Sequence, residues 1–251
     1  MHTALFQRGV FPILATLRLV PSRLSGPTRI ATTDAAAALA ALAETGWSLS
    51  QIWLTHHHGD HTAGTAEIVA ATGARIHGPD SIPGVTNPVA DGGEIDFAGI
   101  KVAAIATPGH TMDMLNFHIP SGKLLFTGDT LFAMGCGRLF EGDAATMWAS
   151  LCKLMVLDDE TVIYCGHEYT AANADFALSV DPDNEALMRR VMAVRDLRAA
   201  GQPTIPTMLA LEKITNPFLR AGDPAIRAHL GMSDADDVDV FAEIRRRKDS
   251  F

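Results

Sequence analysis

The chain has 251 residues, which predicts one or two domains at roughly 150 residues per domain. Its 29 acidic side chains outnumber its 20 Lys and Arg, so the net charge is −9 at pH 7 with histidine neutral. Nucleic acid and anionic membranes are therefore disfavoured as partners, because both reward clustered Lys and Arg. Hydrophobic residues at 47% and charged residues at 20% exclude a wholly disordered chain, and no stretch reaches the roughly 18 apolar residues of a membrane span.

The three cysteines and residues 1–33 bear on the compartment. Cys136, Cys152 and Cys165 are too few for a disulfide framework and include no C-x-x-C pair, so we expect reduced thiols and a cytoplasmic protein. Residues 1–33 contain no acidic residue but include four arginines, at Arg8, Arg18, Arg23 and Arg29. This composition is also typical of a transit peptide, which makes the mitochondrial matrix an alternative, and an ordinary leader is the other interpretation.

The first half of the chain alternates predicted helices and strands. Asp34 is placed to cap a helix over Ala35–Glu44, an Ala- and Leu-rich run that ends at Gly46. Short apolar runs between turn residues predict strands, with one further helix among them. In chain order these are a strand at Gln51–Thr55, a helix at Thr62–Thr72, and strands at Arg75–Gly78, Glu94–Phe97, Ile100–Thr107, Met114–Ile119 and Lys123–Thr127.

The second half of the chain loses the strand pattern. A helix at Ala144–Leu157 and a last strand at Thr161–Cys165 are followed, beyond Tyr169, by long helical stretches. These are Asn173–Val180, Asn184–Ala200, Asp223–Leu230 and Asp237–Lys248. We therefore predict two domains: a mixed α/β domain over residues 1–169, atypical at 1–33, and a small helical domain over residues 170–251.

The strongest signal for chemistry is an H-x-H-x-D-H motif at the end of an apolar strand. Residues two apart in extended backbone point the same way, so His56 and His58 are predicted to converge on one ion. Beyond the flexible Gly59, Asp60 and His61 can reach a second ion. Imidazole and carboxylate suit zinc or iron, and the motif contains no soft thiolate. A polar loop without metal is the weaker alternative, because it would bury unpaired polar rings.

Three single residues follow predicted strands, each directly after a glycine. They are His110, Asp129 and His167, which come after Gly109, Gly128 and Gly166. Glycine allows close backbone approach where a strand presents a side chain at the edge of a sheet. Each of these residues alone is more often structural, but their repetition after a metal motif favours a shared metal centre.

The remaining histidines and cysteines carry weaker signals. His57, His77 and His118 match no ligand position, and we expect them to be orienting or structural. Cys136 lies near the candidate ligands in sequence, but no partnering base is evident for a role as nucleophile.

Together these motifs resemble the metallo-β-lactamase superfamily, whose α/β fold is an αβ/βα sandwich. Within it, four segments are similar to the glyoxalase II family of hydroxyacylglutathione hydrolases. They are Gly128–Phe132, Gly135–Gly142, Cys165–Thr170 and the tail Arg245–Phe251. The resemblance covers residues 34–251. It implies a metallo-β-lactamase-like hydrolase domain followed by a small all-helical domain that binds glutathione.

The resemblance implies two divalent metal ions per chain, zinc above all, with iron or manganese tolerated. It assigns His56, His58 and His110 to one ion and Asp60, His61 and His167 to the other, with Asp129 bridging. Two cations lower the pKa of a shared water from roughly 15.7 toward about 7, which gives a hydroxide nucleophile at neutral pH. With Asp60 and Asp129 as catalytic residues, that hydroxide would attack the thioester of S-D-lactoylglutathione. The products are glutathione and D-lactate, in the second step of methylglyoxal detoxification.

The same resemblance assigns the residues that bind the tripeptide. Arg245 and Lys248 would hold the glycine carboxylate of glutathione, while Arg138 and Tyr169 would contact the rest. Phe140 stands where some family members carry Tyr, so one phenolic hydrogen-bond donor is missing. One alternative stays open, because the last predicted helix is acidic at its start and basic at its end, which complements its own dipole without any ligand.

One region departs from the family. Its members open with two strands and an Asn near the first turn, whereas residues 11–33 show neither that Asn nor a clean strand alternation. Lost strands would expose a sheet edge and reduce stability, although all seven implied ligands lie downstream.

Other functions stay in competition with thioester hydrolysis. A metal-binding pseudo-enzyme, a lactamase-like hydrolase or a superfamily relative such as a glutathione persulfide dioxygenase would share the metal motif. The helical domain and basic tail argue against the latter two, and the acidic net charge disfavours a nuclease of the superfamily. We expect a monomer that acts on a small molecule.

Overall fold

A computed structural model describes residues 10–14 and 35–251 of the chain. The Asp34 cap and most of the leader in residues 1–33 lie outside the described residues. The described helices are α1 (Ala35–Thr45), α2 (Gly59–Thr62), α3 (Thr65–Thr72), α4 (Ala144–Met155), α5 (Thr170–Val180), α6 (Glu185–Ala199), α7 (Leu209–Thr215), α8 (Pro224–Leu230) and α9 (Asp237–Asp249). The described strands are β1 (Val10–Leu14), β2 (Ser48–Trp53), β3 (Arg75–Gly78), β4 (Asn87–Pro88), β5 (Glu94–Phe97), β6 (Ile100–Ala106), β7 (Leu115–Ile119), β8 (Leu124–Gly128), β9 (Leu131–Phe132), β10 (Gly135–Cys136), β11 (Val162–Cys165) and β12 (Thr207–Met208).

The chain divides into two compact units. Unit 1 comprises the described residues up to Ala106 together with Asp113–Gly128, and unit 2 comprises Thr107–Met112 together with Asp129–Phe251. The predicted boundary near residue 170 was drawn from a change in sequence pattern and stays a prediction, because spatial compactness groups the chain by a different criterion.

Unit 1 contains a parallel sheet in the order β1-β2-β3-β4. The strand β1 was not predicted, because Pro12 interrupts its pattern. Pro12 is tolerated since β1 lies at the edge of the sheet, and the register shifts between Phe11 and Pro12. Buried aliphatic side chains from α1, α3 and the strands form the core here, among them Ala38, Ile52, Ile68 and Ile76.

The second part of unit 1 is an antiparallel run of the strands β5, β6, β7 and β8. The turn between β5 and β6 has positive φ angles of 52° at Ala98 and 82° at Gly99, as a two-residue hairpin turn requires. Trp53 at the end of β2 is fully buried and contacts the rings of Phe97, Phe117 and Phe126. This aromatic cluster fixes the end of β2, where the histidine motif begins.

Unit 2 contains two short antiparallel strand pairs, β9 with β10 and β11 with β12, and the helices α4 to α9. Side-chain caps begin several of these helices: Asp143 accepts from Thr146 N–H at α4, and Asn184 accepts from two N–H groups at α6. Helices α5 and α6 share a buried core around Ala177, Leu187 and Val191. The helix that carries the cationic tail, α9, packs against α4, where the Phe241 and Trp148 rings lie 5.8 Å apart.

Most predicted elements are confirmed within two to three residues at their ends. The helix predicted over Thr62–Thr72 is confirmed as α3, which begins three residues later because the chain leaves helical structure at Gly64, a residue of low helix propensity. The short helix α2 before it was not predicted. The strands β4, β9, β10 and β12 and the helix α7 were not predicted. In the part of the chain that the structure describes, every helix is too short or too polar to cross a membrane.

Candidate metal centre

Unit 1 carries the histidine motif in the loop and short helix that follow β2. His56 and His61 are buried, and their ring centroids lie 4.2 Å apart. His58 lies between these two residues in sequence, with its ring centroid 4.8 Å from that of His56. Ligand atoms of His56 and His58, and likewise of Asp60 and His61, come within 4.8 Å of each other. The motif therefore gathers donor atoms at the spacing that metal ions bridge.

Unit 2 carries the three single residues that follow glycines. The carboxylate Oδ2 of Asp129 lies 3.5 Å from His110 Nε2 and 3.2 Å from His167 Nε2. Asp129 and His110 are both buried. Residues 110, 129 and 167 are far apart in sequence, yet the fold of unit 2 brings their donor atoms together, with the carboxylate between two imidazoles. This arrangement is compatible with the bridging role predicted for Asp129.

Glycine is required before Asp129 for a reason of space. Gly128 has φ +48°, and a Cβ there would come within 2.7 Å of Thr55 Oγ1. A side chain at this position would push against the strand end that leads into the histidine motif. This is the close backbone approach that the strand–glycine–ligand pattern predicts.

Hydrogen bonds on the far side of two rings orient them. His110 Nδ1 lies 2.8 Å from the carbonyl oxygen of Arg138. A carbonyl only accepts, so Nδ1 carries the proton and Nε2 of the neutral ring keeps its lone pair toward Asp129. His56 Nδ1 lies 2.9 Å from Thr55 Oγ1, which restrains the direction of the ring but, as a hydroxyl, can either donate or accept. Such outer contacts fix the tautomer and direction of metal-ligating histidines.

The donor set fits a divalent metal ion. Its atoms are imidazole nitrogens and carboxylate oxygens, gathered around buried positions, which suits zinc or iron and offers no thiolate. Asp60 differs from the others because its side chain is 54% exposed. It is therefore the member of the set that solvent and a substrate reach most readily.

Two of the three cationic residues predicted to bind the tripeptide, Arg138 and Arg245, meet at one carboxylate in unit 2. Asp249 Oδ1 accepts from Arg138 Nε at 3.2 Å and from Arg245 Nη2 at 2.9 Å. Arg245 is buried, donates to the Cys136 carbonyl at 3.0 Å, and lies over the Phe218 ring. Asp249 lies within the tail Arg245–Phe251, and no role was predicted for it.

Lys248 lies one turn beyond Arg245 on α9. Its Nζ donates to the Ala172 carbonyl at 3.0 Å and lies 5.1 Å from the centroid of the Phe176 ring. Burial and the nearby Arg245 guanidinium lower the pKa of the Lys248 ammonium below its usual value. Both tail cations thus have protein partners as well as the capacity to meet an anion.

Two aromatic side chains flank the ligands of unit 2. The Tyr169 ring stacks on His167 with centroids 4.8 Å apart and planes at 11°. The Phe140 ring meets His110 edge to face at 5.2 Å and is 60% exposed. Tyr169 and Phe140, the two aromatic residues among the predicted tripeptide contacts, therefore also contact candidate metal ligands.

The histidines and the cysteine that were predicted to have no catalytic role lie in surroundings that agree with a structural role. His57 Nδ1 lies 3.1 Å from the carboxylate of Asp113, and none of His57, His77 and His118 belongs to a candidate ligand group among the described residues. Burial lowers the pKa of the His77 and His118 imidazoles. Burial raises the pKa of the Cys136 thiol to about 11, which leaves it protonated at neutral pH and unfit as a nucleophile.

Comparison with known proteins decides the family. Residues 25–167 match the family model of the metallo-beta-lactamase superfamily, and residues 168–251 match that of the hydroxyacylglutathione hydrolase C-terminus. The hydroxyacylglutathione hydrolase of Rhizobium meliloti (strain 1021) is 54% identical over 238 residues, which covers 93% of each chain. The chain belongs to the hydroxyacylglutathione hydrolase family. The two family models meet between residues 167 and 168, two residues from the predicted boundary.

Solved structures agree on the fold of this hydroxyacylglutathione hydrolase family member. ETHE1 from Myxococcus xanthus superposes with a TM-score of 0.60 at 24% identity, over 85% of this chain and 75% of its own. A structure of TTHA1623 in a di-iron-bound form superposes with a TM-score of 0.52 at 25% identity, over 72% of this chain and 83% of its own. The predicted α/β class of the metallo-β-lactamase type is confirmed. Together with the His and Asp groups, this fold indicates that the chain binds divalent metal.

Proposed function

We propose that this protein hydrolyses the thioester of S-(2-hydroxyacyl)glutathione to glutathione and a 2-hydroxy acid. S-D-lactoylglutathione is the proposed substrate and D-lactate the product, which places the reaction second in methylglyoxal detoxification. The observation that carries the proposal is 54% identity over 93% of the chain to a protein named for this activity. The match of residues 168–251 to the C-terminal hydrolase model supports glutathione recognition.

We further propose how the ligands divide. His56, His58 and His110 would hold one ion, Asp60, His61 and His167 the other, and Asp129 would bridge them. The position of Asp129 Oδ2 between His110 Nε2 and His167 Nε2, at 3.5 and 3.2 Å, supports the bridging role. Two divalent ions bound by these residues would lower the pKa of a water molecule to about 7 and polarise the thioester carbonyl.

Zinc is the proposed metal, with iron or manganese as alternatives. The imidazole and carboxylate donors accept all three, so the ligand chemistry does not choose among them. A relative of this fold has a structure in a di-iron-bound form. Metal analysis must therefore quantify iron and manganese together with zinc.

The two aspartates have different surroundings and different proposed roles. Asp129 is buried, and its negative charge would offset the positive charge of metal ions bound beside His110 and His167. Asp60 is 54% exposed, and its Oδ2 lies 3.6 Å from His61 Nε2. That oxygen is accessible enough to accept a proton from an attacking water and to pass it to the departing thiolate.

The tripeptide is proposed to bind at the cationic cluster of unit 2. Arg138 is exposed and supplies a charge at the rim, whereas Arg245 and Lys248 lie along one face of α9 and would meet the glycine carboxylate. Tyr169 stacks on His167 and would bring the tripeptide beside a metal ligand. Binding energy from this remote part of the substrate would align the thioester with the attacking group.

The compartment and the assembly state are also proposals. Cys136 and Cys165 are buried free thiols and Cys152 is a partly buried one, which is compatible with a reducing compartment such as the cytoplasm. We propose a monomer that acts on a small glutathione thioester, which size-exclusion chromatography with light scattering tests directly.

The test is hydrolysis of S-D-lactoylglutathione by the purified protein, followed as loss of thioester absorbance. Zinc, iron and manganese are quantified on the same sample. We expect about two metal ions per chain and turnover that His58→Ala reduces by at least about a hundredfold, since a metal ligand is lost. The matched control is His229→Ala, because His229 is exposed on α8 and bonds only the Ser179 carbonyl.

The outcomes separate the competing functions. Turnover in the parent and the His229→Ala control, with loss in His58→Ala, supports the hydrolase. Full metal loading without turnover on this substrate would refute the proposed reaction and favour a metal-binding pseudo-enzyme. Turnover without metal would refute the metal-based chemistry.

A further inference from the structure

The segment Gly137–Gly142 of unit 2 lies directly against the loop Gly109–Met112, which carries His110. Four hydrogen bonds join them. They run from His110 Nδ1 to the Arg138 carbonyl (2.8 Å), from Phe140 N–H to the His110 carbonyl (3.3 Å), from Met112 N–H to Glu141 Oε2 (2.6 Å), and from Gly142 N–H to the Gly109 carbonyl (3.1 Å). The loop of His110 is therefore held by a segment about 30 residues away in sequence.

Glycines at both ends of the segment allow this contact. A Cβ at Gly137 would come within 3.1 Å of His110 Nδ1 and would overlap the Asp129 carbonyl. A Cβ at Gly142 would lie 2.6 Å from the Gly109 Cα. The backbone of Gly137–Gly142 packs directly against the backbone of the loop Gly109–Met112. The loop therefore has little room to shift while the segment is in place.

Glu141 is the one side chain of the segment that reaches across as an acceptor. Its Oε2 takes the Met112 N–H at 2.6 Å, the shortest of the four bonds and one made by a charged group. Met112 is exposed and lies two residues after His110. The bond holds the exposed end of the loop, whereas the Arg138 carbonyl holds the buried ring.

We propose that Glu141 is a positioning residue for His110. By holding the Met112 N–H, it keeps the loop Gly109–Met112 in the conformation in which His110 Nε2 faces Asp129. Glu141 is not one of the proposed metal ligands or tripeptide contacts. The inference rests on the proposed function only in taking His110 and Asp129 as metal ligands.

We expect Glu141 to position His110 through its hydrogen bond from the Met112 N–H and not through its negative charge. The amide of Glu141→Gln keeps an oxygen acceptor at the same reach, whereas Glu141→Ala removes it and leaves the loop end held by water alone. Outer contacts of metal-ligating histidines contribute about 10–100-fold to metal affinity or activity. Alanine should cost an effect of that size, and glutamine little.

The experiment measures metal affinity by chelator competition and kcat and KM on the same preparations. Cobalt-loaded protein gives a visible spectrum that reports ligand geometry without turnover. We expect Glu141→Ala to bind metal about tenfold or more weakly, with an altered cobalt spectrum and reduced kcat. Glu141→Gln should stay within about threefold of the parent. Glu94→Ala, which removes an exposed carboxylate paired with Lys101, is the control and should match the parent.

Three results would overturn the inference. They are parent-like metal affinity and spectrum in Glu141→Ala, a rise in KM alone, which would make Glu141 a substrate contact, and equal losses in the Gln and Ala variants, which would assign the effect to charge. If the parent binds metal but does not hydrolyse the thioester, the affinity and the spectrum still answer the question. Failure of the proposed function is thereby separable from failure of this inference.

Discussion

A single hydrogen bond decides which ring nitrogen His110 offers to a metal ion. The Arg138 carbonyl can only accept, so it fixes the proton on His110 Nδ1 and leaves Nε2 for coordination. The Thr55 hydroxyl lies 2.9 Å from His56 Nδ1 and restrains that ring without selecting its tautomer, because a hydroxyl can donate or accept. Arg138 thus has two roles in one residue: its backbone orients a metal ligand, and its exposed side chain is proposed to meet the tripeptide. A substitution at Arg138 tests only the second of these, because the carbonyl remains.

Phe140 gives a test of substrate affinity at the scale of one atom. Its ring is 60% exposed and meets His110 edge to face at 5.2 Å. Phe140→Tyr adds a phenolic donor to this exposed ring, and one new hydrogen bond is worth about 0.5–1.5 kcal/mol. We expect KM for S-D-lactoylglutathione to fall by about two- to tenfold with kcat nearly unchanged. Steady-state kinetics checks this, with Phe140→Leu as the control that adds no donor. An unchanged or higher KM in the Tyr variant would show that the hydroxyl finds no partner on the substrate.

At the scale of elements, a buried carboxylate supports the hairpin that follows Asp129. Glu212 on α7 is fully buried, accepts from Met134 N–H between β9 and β10 at 2.8 Å, and pairs with Arg190 of α6. Thr207 and Asn216 also donate to it, at 2.6 and 3.1 Å. One side chain therefore ties two helices and a strand end to the turn that leads away from the proposed bridging ligand.

Removal of this carboxylate should destabilise unit 2. Glu212→Ala leaves the buried Arg190 cation without its acidic partner, and loss of one member of a buried pair costs about 3–5 kcal/mol. The neighbouring Lys213→Ala removes an exposed pair with Asp159 and should cost no more than about 1 kcal/mol. Denaturant unfolding of the two variants measures the difference in free energy of unfolding. Equal small losses in both would mean that the Glu212 network contributes little to stability.

The same scale shows what the sequence could predict. Strands such as β3 and β5 and helices such as α9 were predicted because apolar periodicity and caps are local. The two-residue strand β12 forms by pairing with β11, which is distant in sequence, so no local pattern marks it. The strands β9 and β10 pair across a short turn, but each is too short to show an alternation. The candidate ligand residues were predicted from the motif and from glycines before single residues. The role of Glu141 was not predicted, because its partner is a backbone N–H 29 residues earlier in the chain. Every residue except proline has such a group, so the residue type at that position gives no signal.

At the scale of the whole molecule, two divisions of the chain coexist. The family models meet between residues 167 and 168, whereas compactness assigns Thr107–Met112 and everything beyond Asp129 to unit 2. The short piece Thr107–Met112 contains His110, and the segment Gly137–Gly142 holds it there through four hydrogen bonds. The loop of His110 thus belongs to the same compact unit as the segment that holds it. The order of residues along the chain does not reveal this grouping.

The thiols of the molecule provide a test of metal-based against cysteine-based hydrolysis. Of the three free cysteines, Cys136 and Cys165 are buried and Cys152 is partly exposed. Burial raises the pKa of the Cys136 thiol to about 11, and burial together with Asp237 raises that of Cys152. Since the thiolate is the reactive form, alkylation of the native protein near pH 8 should be slow and confined to Cys152. Mass spectrometry should find one label per chain, and three after unfolding in guanidinium.

Thioester hydrolysis should survive this labelling and the Cys136→Ser substitution. Loss of turnover on labelling, together with loss of turnover in unlabelled Cys152→Ser, would instead place a thiol in the reaction path and remove the case for hydrolysis by metal alone.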